Sequence, residues 1–272
     1  MADPQCQPIR RAYPQTNLQL FNQLQQEGYS TADAILIRNV YELATQLYAG
    51  YFIASGREQI AHLVGTAGIL SSLHVSAEVV AAGLIHNVYT NGDFGVPGKS
   101  ISTAKRRQII QAVGQEVEKY IHGFYALTSN RNVWSSVFED IDKIDPVIRL
   151  AGLILISEQF EHRLNDGGLK RYAKNVDENG PVMVEIALKL GFPLLADQIR
   201  TILTSPLPCD SVLYGLIAAI NGDRSRWIPP ASSRRRVTVI VRIATNRGLR
   251  LVARSKAASR LIRLARNVRS VG

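Results

Sequence analysis

The sequence predicts an all-α fold. Apolar residues recur at three- and four-residue spacing up to about residue 220, helix start and stop signals punctuate that pattern, and no strand–helix alternation or fixed-length repeat interrupts it. The chain has 272 residues, 46% hydrophobic, with 20 Gly and 11 Pro. That is enough for one domain of about 150 to 200 residues plus an appendage. The pattern divides it into an N-terminal segment (1–30), a helical domain (31–222) and a basic linker with an amphipathic tail (223–272).

The elements follow in order. Leu18, Leu20, Phe21 and Leu24 suggest a short helix, and from about Asp33 a second carries Val40, Leu43, Leu47 and Tyr51. A third runs from about Gly56 to Leu73. Ser76 is placed to cap a fourth, apolar through Val79, Val80, Leu84, Ile85 and Val88, which is expected to end before Asn91-Gly92. Ser102 or Thr103 opens the next, with a break near Gly114. Asp145-Pro146 is the clearest start, because Asp accepts free first-turn amides and Pro has no amide hydrogen to lose there. The helix it opens, through Ile148, Leu150, Leu153, Leu155 and Ile156 to about Leu164, is apolar on several faces and is expected to be central. Gly180-Pro181 is expected to open another that stops at Gly191, and Leu194 to Leu203 gives the last.

Charge is unevenly spread. The formal net charge is +10, yet residues 223–272 hold 14 basic residues and one acid, leaving 18 basic against 21 acidic residues before them. Cys6 and Cys209 form neither a disulfide framework nor a CxxC pair, which fits a reducing compartment. No basic, then apolar, leader opens the chain, and the apolar run Leu63–Ala77 is too short and too polar to cross a bilayer. The expectation is a cytoplasmic protein, peripheral at a membrane where the tail engages one. After Trp227, Pro229 and Pro230, Arg260, Arg263, Arg266 and Arg269 recur every three residues with Leu261, Leu264, Ala265 and Val268 between them. A cationic amphipathic helix of that kind suits an anionic membrane surface. Nucleic acid fits less well, because no aromatic residue follows Trp227 to stack on bases. A solvated extension is the third reading.

His62 and His86 each lie mid-way along an apolar helical stretch, where neutral imidazole can ligate a divalent metal such as Mn, Fe or Zn, or simply hydrogen-bond within the core. His122 and His162 sit among charged neighbours and are expected at the surface, and His74 in a turn. Gly98-Lys99-Ser100 resembles the end of a phosphate-binding loop, but Asp93 occupies the position of the required first glycine. Asp93-Phe94-Gly95 lacks the companions a kinase metal motif needs.

Five stretches in order, His62-Leu-Val-Gly-Thr66, Val79-Val-Ala-Ala-Gly-Leu-Ile-His86-Asn87, Arg107 to Val117, Val147-Ile-Arg-Leu-Ala-Gly152 and Ala187-Leu-Lys-Leu-Gly-Phe192, resemble the HD superfamily. Within it the match is to the RelA/SpoT-type domain that removes pyrophosphate from guanosine tetraphosphate, over about residues 40–205. The resemblance implies a helical bundle around a metal, with His62 and His86 as ligands. It also places Asn87 where the paired aspartate belongs, Gly152 at the distant aspartate, and Tyr89-Thr90 at the Glu-Asp pair that helps to position water. Residues 62–66 and 82–89 are also similar to a less characterised bacterial group in which a small polar residue replaces that aspartate.

Two imidazoles and an amide make a weak site for a manganese-type ion. Asp145 lies about 10 Å along the helix from Gly152, Glu158 is expected on another face, and Asp93 is the acid near enough to substitute. Arg57 and Arg149, beside matched motifs, are candidates for holding the phosphate of a nucleotide or other phosphorylated small molecule, or form ordinary ion pairs. The favoured reading is a degenerate HD-like binding or scaffold module. The alternative is a metal-dependent phosphohydrolase using His62, His86 and Asp93. Sedimentation with anionic liposomes tests the tail: removal of residues 223–272 is expected to abolish binding, and equal binding with and without them removes the membrane assignment.

Overall fold

The structure is a computed structural model and describes residues 13–94, 101–130, 134, 143–165, 170–204 and 226–227. These residues form an almost entirely α-helical bundle. The helices are α1 (Asn17–Gln26), α2 (Thr31–Leu47), α3 (Gln59–Ser72), α4 (Ala77–Leu84), α5 (Val88–Asn91), α6 (Thr103–Val113), α7 (Gln115–Thr128), α8 (Pro146–Asn165), α9 (Lys170–Lys189) and α10 (Pro193–Thr204). Two short strands, β1 (Tyr51–Phe52) and β2 (Arg226–Trp227), pair antiparallel.

Side-chain caps start several of these helices. Thr16 and Ser30 each close a reciprocal capping box, with Gln19 and Asp33 respectively. Ser102 accepts from the Lys105 amide at 3.2 Å, and Asp145 Oδ1 accepts from Val147 N at 2.7 Å, as the Asp-Pro signal predicts. Helix α3 is apolar all round, with twelve of its fourteen residues buried, so it must lie inside the bundle. It packs against α4 and α8, and α8 in turn touches α7, α4, α9 and α10.

Four local expectations need correction. Tyr51 is not on the second helix: α2 stops at Leu47, Gly50 takes a φ of 74°, and Tyr51–Phe52 pair with Arg226–Trp227. Trp227, read as linker, is thereby fastened by its backbone to the domain. The fourth helix does not run unbroken through Ile85 to Val88. It breaks after Leu84, where His86 takes the Gly83 carbonyl through its side chain and the chain restarts as α5. Pro181 does not open α9, which begins at Lys170 and passes through it. Pro181 is exposed, and the neighbouring Gly180 is pressed against Leu203 of α10, where an added Cβ would come within 2.5 Å of Leu203 Cδ2. That close helix–helix contact offsets the lost backbone bond.

The N-terminal segment joins the same core. Leu20 and Leu24 are buried, Tyr13 meets Phe160 edge-on, and Tyr13 also donates to Gln198 of α10 at 2.9 Å. Residues 228–272, Cys6, Cys209 and the Gly98-Lys99-Ser100 stretch lie outside the described residues.

The break between α6 and α7 sits at Gly114, with φ 88° and ψ 160°, a region essentially closed to other residues, while nothing lies within 4 Å of where a Cβ would stand. Gly114→Ala should therefore cost about 1 to 3 kcal/mol through backbone strain alone. Urea unfolding measures it, and an unchanged midpoint contradicts the assignment.

Candidate metal centre

Three segments converge in the interior. Helix α3 presents His62, the break between α4 and α5 presents His86, and α8 presents Glu158, Glu161 and His162. The α8 residues stand at i, i+3 and i+4, so one face of that helix carries all three.

Glu161 organises the group. Its carboxylate is fully buried and accepts from Arg57 Nη1 at 2.6 Å and Nη2 at 2.9 Å, from Asn165 Nδ2 at 2.9 Å, and from His62 Nδ1 at 2.5 Å. It rests on the bare backbone of Gly65, where a Cβ would come within 2.6 Å of its Oε1. Arg57 Nη1 also donates to Gln15 at 2.8 Å. Burial alone would raise the Glu161 carboxyl, but the Arg57 charge, followed by His62, holds it well below the usual carboxylate range.

With Nδ1–H committed to Glu161, the lone pair of His62 is on Nε2, and that atom is buried without a hydrogen-bond partner. An imidazole nitrogen in that state calls for a ligand. The His162 ring stacks on His62 with centroids 4.1 Å apart and an interplanar angle of 17°. His162 Nε2 lies 3.2 Å from Glu158 Oε1. One donor atom from each of His62, Glu158 and His162 falls within 4.8 Å of the others. Donors around a tetrahedral ion at 2.1 Å stand about 3.4 Å apart, so the Glu158–His162 edge already has the right length, whereas the His62 ring, stacked face to face on His162, has to rotate before its in-plane lone pair meets the same ion.

His86 faces the same group, its ring centroid 5.4 Å from that of His62 and 4.7 Å from that of Phe124. Its Nδ1–H donates to the Gly83 carbonyl at 2.8 Å, leaving Nε2 as the lone-pair nitrogen. Burial, then the neighbouring His62, lowers its pKa to about 4. Burial and His162 lower that of His62 as well, against the pull of Glu161. At Glu158 burial works upward, but the hydrogen bond and charge of His162 bring the carboxyl down to about 2. At neutral pH the buried imidazoles of His62 and His86 are neutral and both glutamates are anionic, the protonation states that ligation requires.

Of the residues singled out in the sequence, the structure brings together His62 and His86. Asn87 turns away: its Oδ1 accepts the Tyr48 hydroxyl at 2.7 Å. Asp93 is exposed beyond α5, its amide bonded to the Leu47 carbonyl, and it is outside the cluster. Arg57 is engaged with Glu161, and Arg149 donates to the Ile144 carbonyl at 3.0 Å, about 13 Å along α8 from Glu158. Tyr89 donates to Glu118, which also takes both arms of Arg106, and Thr90 donates to the Asn87 carbonyl. One expectation is overturned: His162 is 5% exposed rather than at the surface, and Glu158 Oε1 stands 3.2 Å from its Nε2. The spacing of Glu158, Glu161 and His162 was a usable signal, since bundle metal sites project carboxylates and imidazoles inward at such intervals.

His86 makes the metal-free protein acid-sensitive. The unfolded chain takes up a proton at the ordinary value of 6.5, while the folded chain refuses it until about 4. His86 therefore costs nothing above that window, and its penalty grows as pH falls through it to roughly 3 kcal/mol. His86→Gln should flatten the fall in urea-derived stability between about pH 7 and about pH 4, and parallel slopes in both proteins contradict this.

Residues 44–128, which span α3 to α7 with His62 and His86 but stop short of α8, match the family model described as Domain of unknown function (DUF6817).

Proposed function

We propose that the bundle holds a divalent metal ion at His62, Glu158 and His162, with His86 alongside, and acts as a metal-dependent phosphohydrolase on a small phosphorylated molecule. The observation that carries this reading is the buried, unpartnered Nε2 of His62 beside Glu158 and His162. Mixed imidazole and carboxylate donors suit Zn, Fe or Mn. When bound, such an ion supplies a Lewis acid that polarises a phosphoryl oxygen.

The chain's own residues supply the rest. A divalent charge set against Glu158, Glu161 and Arg57 leaves the centre with one net positive charge, which favours an anionic substrate. The Glu158 side chain, 14% exposed, is where the cluster meets solvent. The ordered resemblance of the sequence to the RelA/SpoT-type hydrolases supports the same reading, since it aligns His62 and His86 with histidine ligands of that family. A module stripped of its acidic ligands is less well supported, because α8 supplies carboxylates where positions 87 and 152 have none.

Metal analysis of the purified protein, as isolated and after reconstitution with Mn, Fe or Zn, tests the proposal. Close to one ion per chain is expected, falling at least tenfold in Glu158→Gln and His162→Ala with the helical circular dichroism retained. Phosphate or pyrophosphate release from nucleotides should fall in parallel. A wild-type protein that stays metal-free under every condition contradicts the proposal.

A further inference from the structure

We infer that Glu161 is the positioning residue of this centre. It fixes the tautomer and ring orientation of His62 from behind, with Arg57 as its counter-charge and Gly65 as the gap that admits it. The inference rests on the metal reading above, but it concerns a residue that touches no ion itself.

Neutral histidine has two tautomers, and only the one protonated on Nδ1 presents a lone pair at Nε2. The carboxylate of Glu161 can only accept, so its 2.5 Å contact to Nδ1 selects that tautomer. Carboxylates in this relation to a ligating imidazole also raise its donor strength. A lone buried carboxylate would be costly, and the two-armed bond from Arg57 offsets its charge. Arg57 is thereby occupied in the structure, and its guanidinium serves the ligand rather than the substrate.

Gly65 makes the arrangement spatially feasible. A Cβ at that position would stand within 2.6 Å of Glu161 Oε1, 2.8 Å of its Cγ and 3.0 Å of Gln15 Nε2. Gly65 lies in the interior of α3, where glycine is otherwise the weaker helix former. The side-chain-free position is explained by the carboxylate it accommodates.

Two measurements on the full chain test this. In the metal-free protein, long-range proton–nitrogen NMR of the imidazoles should show His62 protonated at Nδ1, and an Nε2-protonated His62 overturns the inference. In Co²⁺ titrations followed by visible absorption, Glu161→Gln and Gly65→Ala should each bind about 10- to 100-fold more weakly than wild type with a shifted ligand-field band. Gly65→Ala adds a better helix former, so it provides the reading if Glu161→Gln does not fold. Wild-type affinity and an unchanged spectrum in the folded variants overturn the positioning role and leave the metal site intact. A wild-type protein that binds no Co²⁺ overturns the metal reading, and the inference with it.

Discussion

A carboxylate buried without solvent dictates much of this molecule. Glu161 sits at zero exposure between α3 and α8, and an ionised group there is tolerable only if every oxygen is met by a donor. Arg57 before α3, His62 within it and Asn165 at the end of α8 meet that demand, while Gln15 steadies Arg57. Removing one partner of such a pair typically costs about 3 to 5 kcal/mol, because the charge left behind stays buried. Three separate stretches of chain are therefore held to one point.

A second buried carboxylate shows what the same chemistry looks like without a ligand to bind. Glu118 is closed off by Tyr89 at 2.7 Å and by both arms of Arg106 at 2.7 and 2.8 Å, joining α5, α6 and α7. Around Glu161 the pattern differs: its partner His62 keeps one ring nitrogen unsatisfied in a cluster with two further ionisable groups. Saturated networks hold a fold together, whereas a network with one open donor is prepared to bind.

Much of the helical frame was legible from spacing and end signals, including the start of α8 at Asp145-Pro146 and the meeting of His62 with His86. The other half of the centre was not. The charged run from Glu158 to Arg163 looks solvent-facing in isolation, because a helix cannot show which of its polar residues will find partners on another. Arg57 and Glu161 are 104 residues apart, and neither residue's role is visible without the other. The same limit applied to Asn87, which keeps a position resembling a ligand's yet serves Tyr48. Pro181 misled for a different reason: packing of Gly180 on Leu203 outweighed a local preference.

The central claim is that metal-binding capacity in this bundle comes from α8 rather than from the positions after His86. Diffraction data collected on either side of the absorption edge of the bound metal test it most directly. The account predicts one anomalous peak within about 2.0 to 2.3 Å of His62 Nε2, a Glu158 oxygen and a His162 nitrogen. A peak coordinated by Asn87 or Asp93, or none in crystals grown with saturating metal, would contradict it.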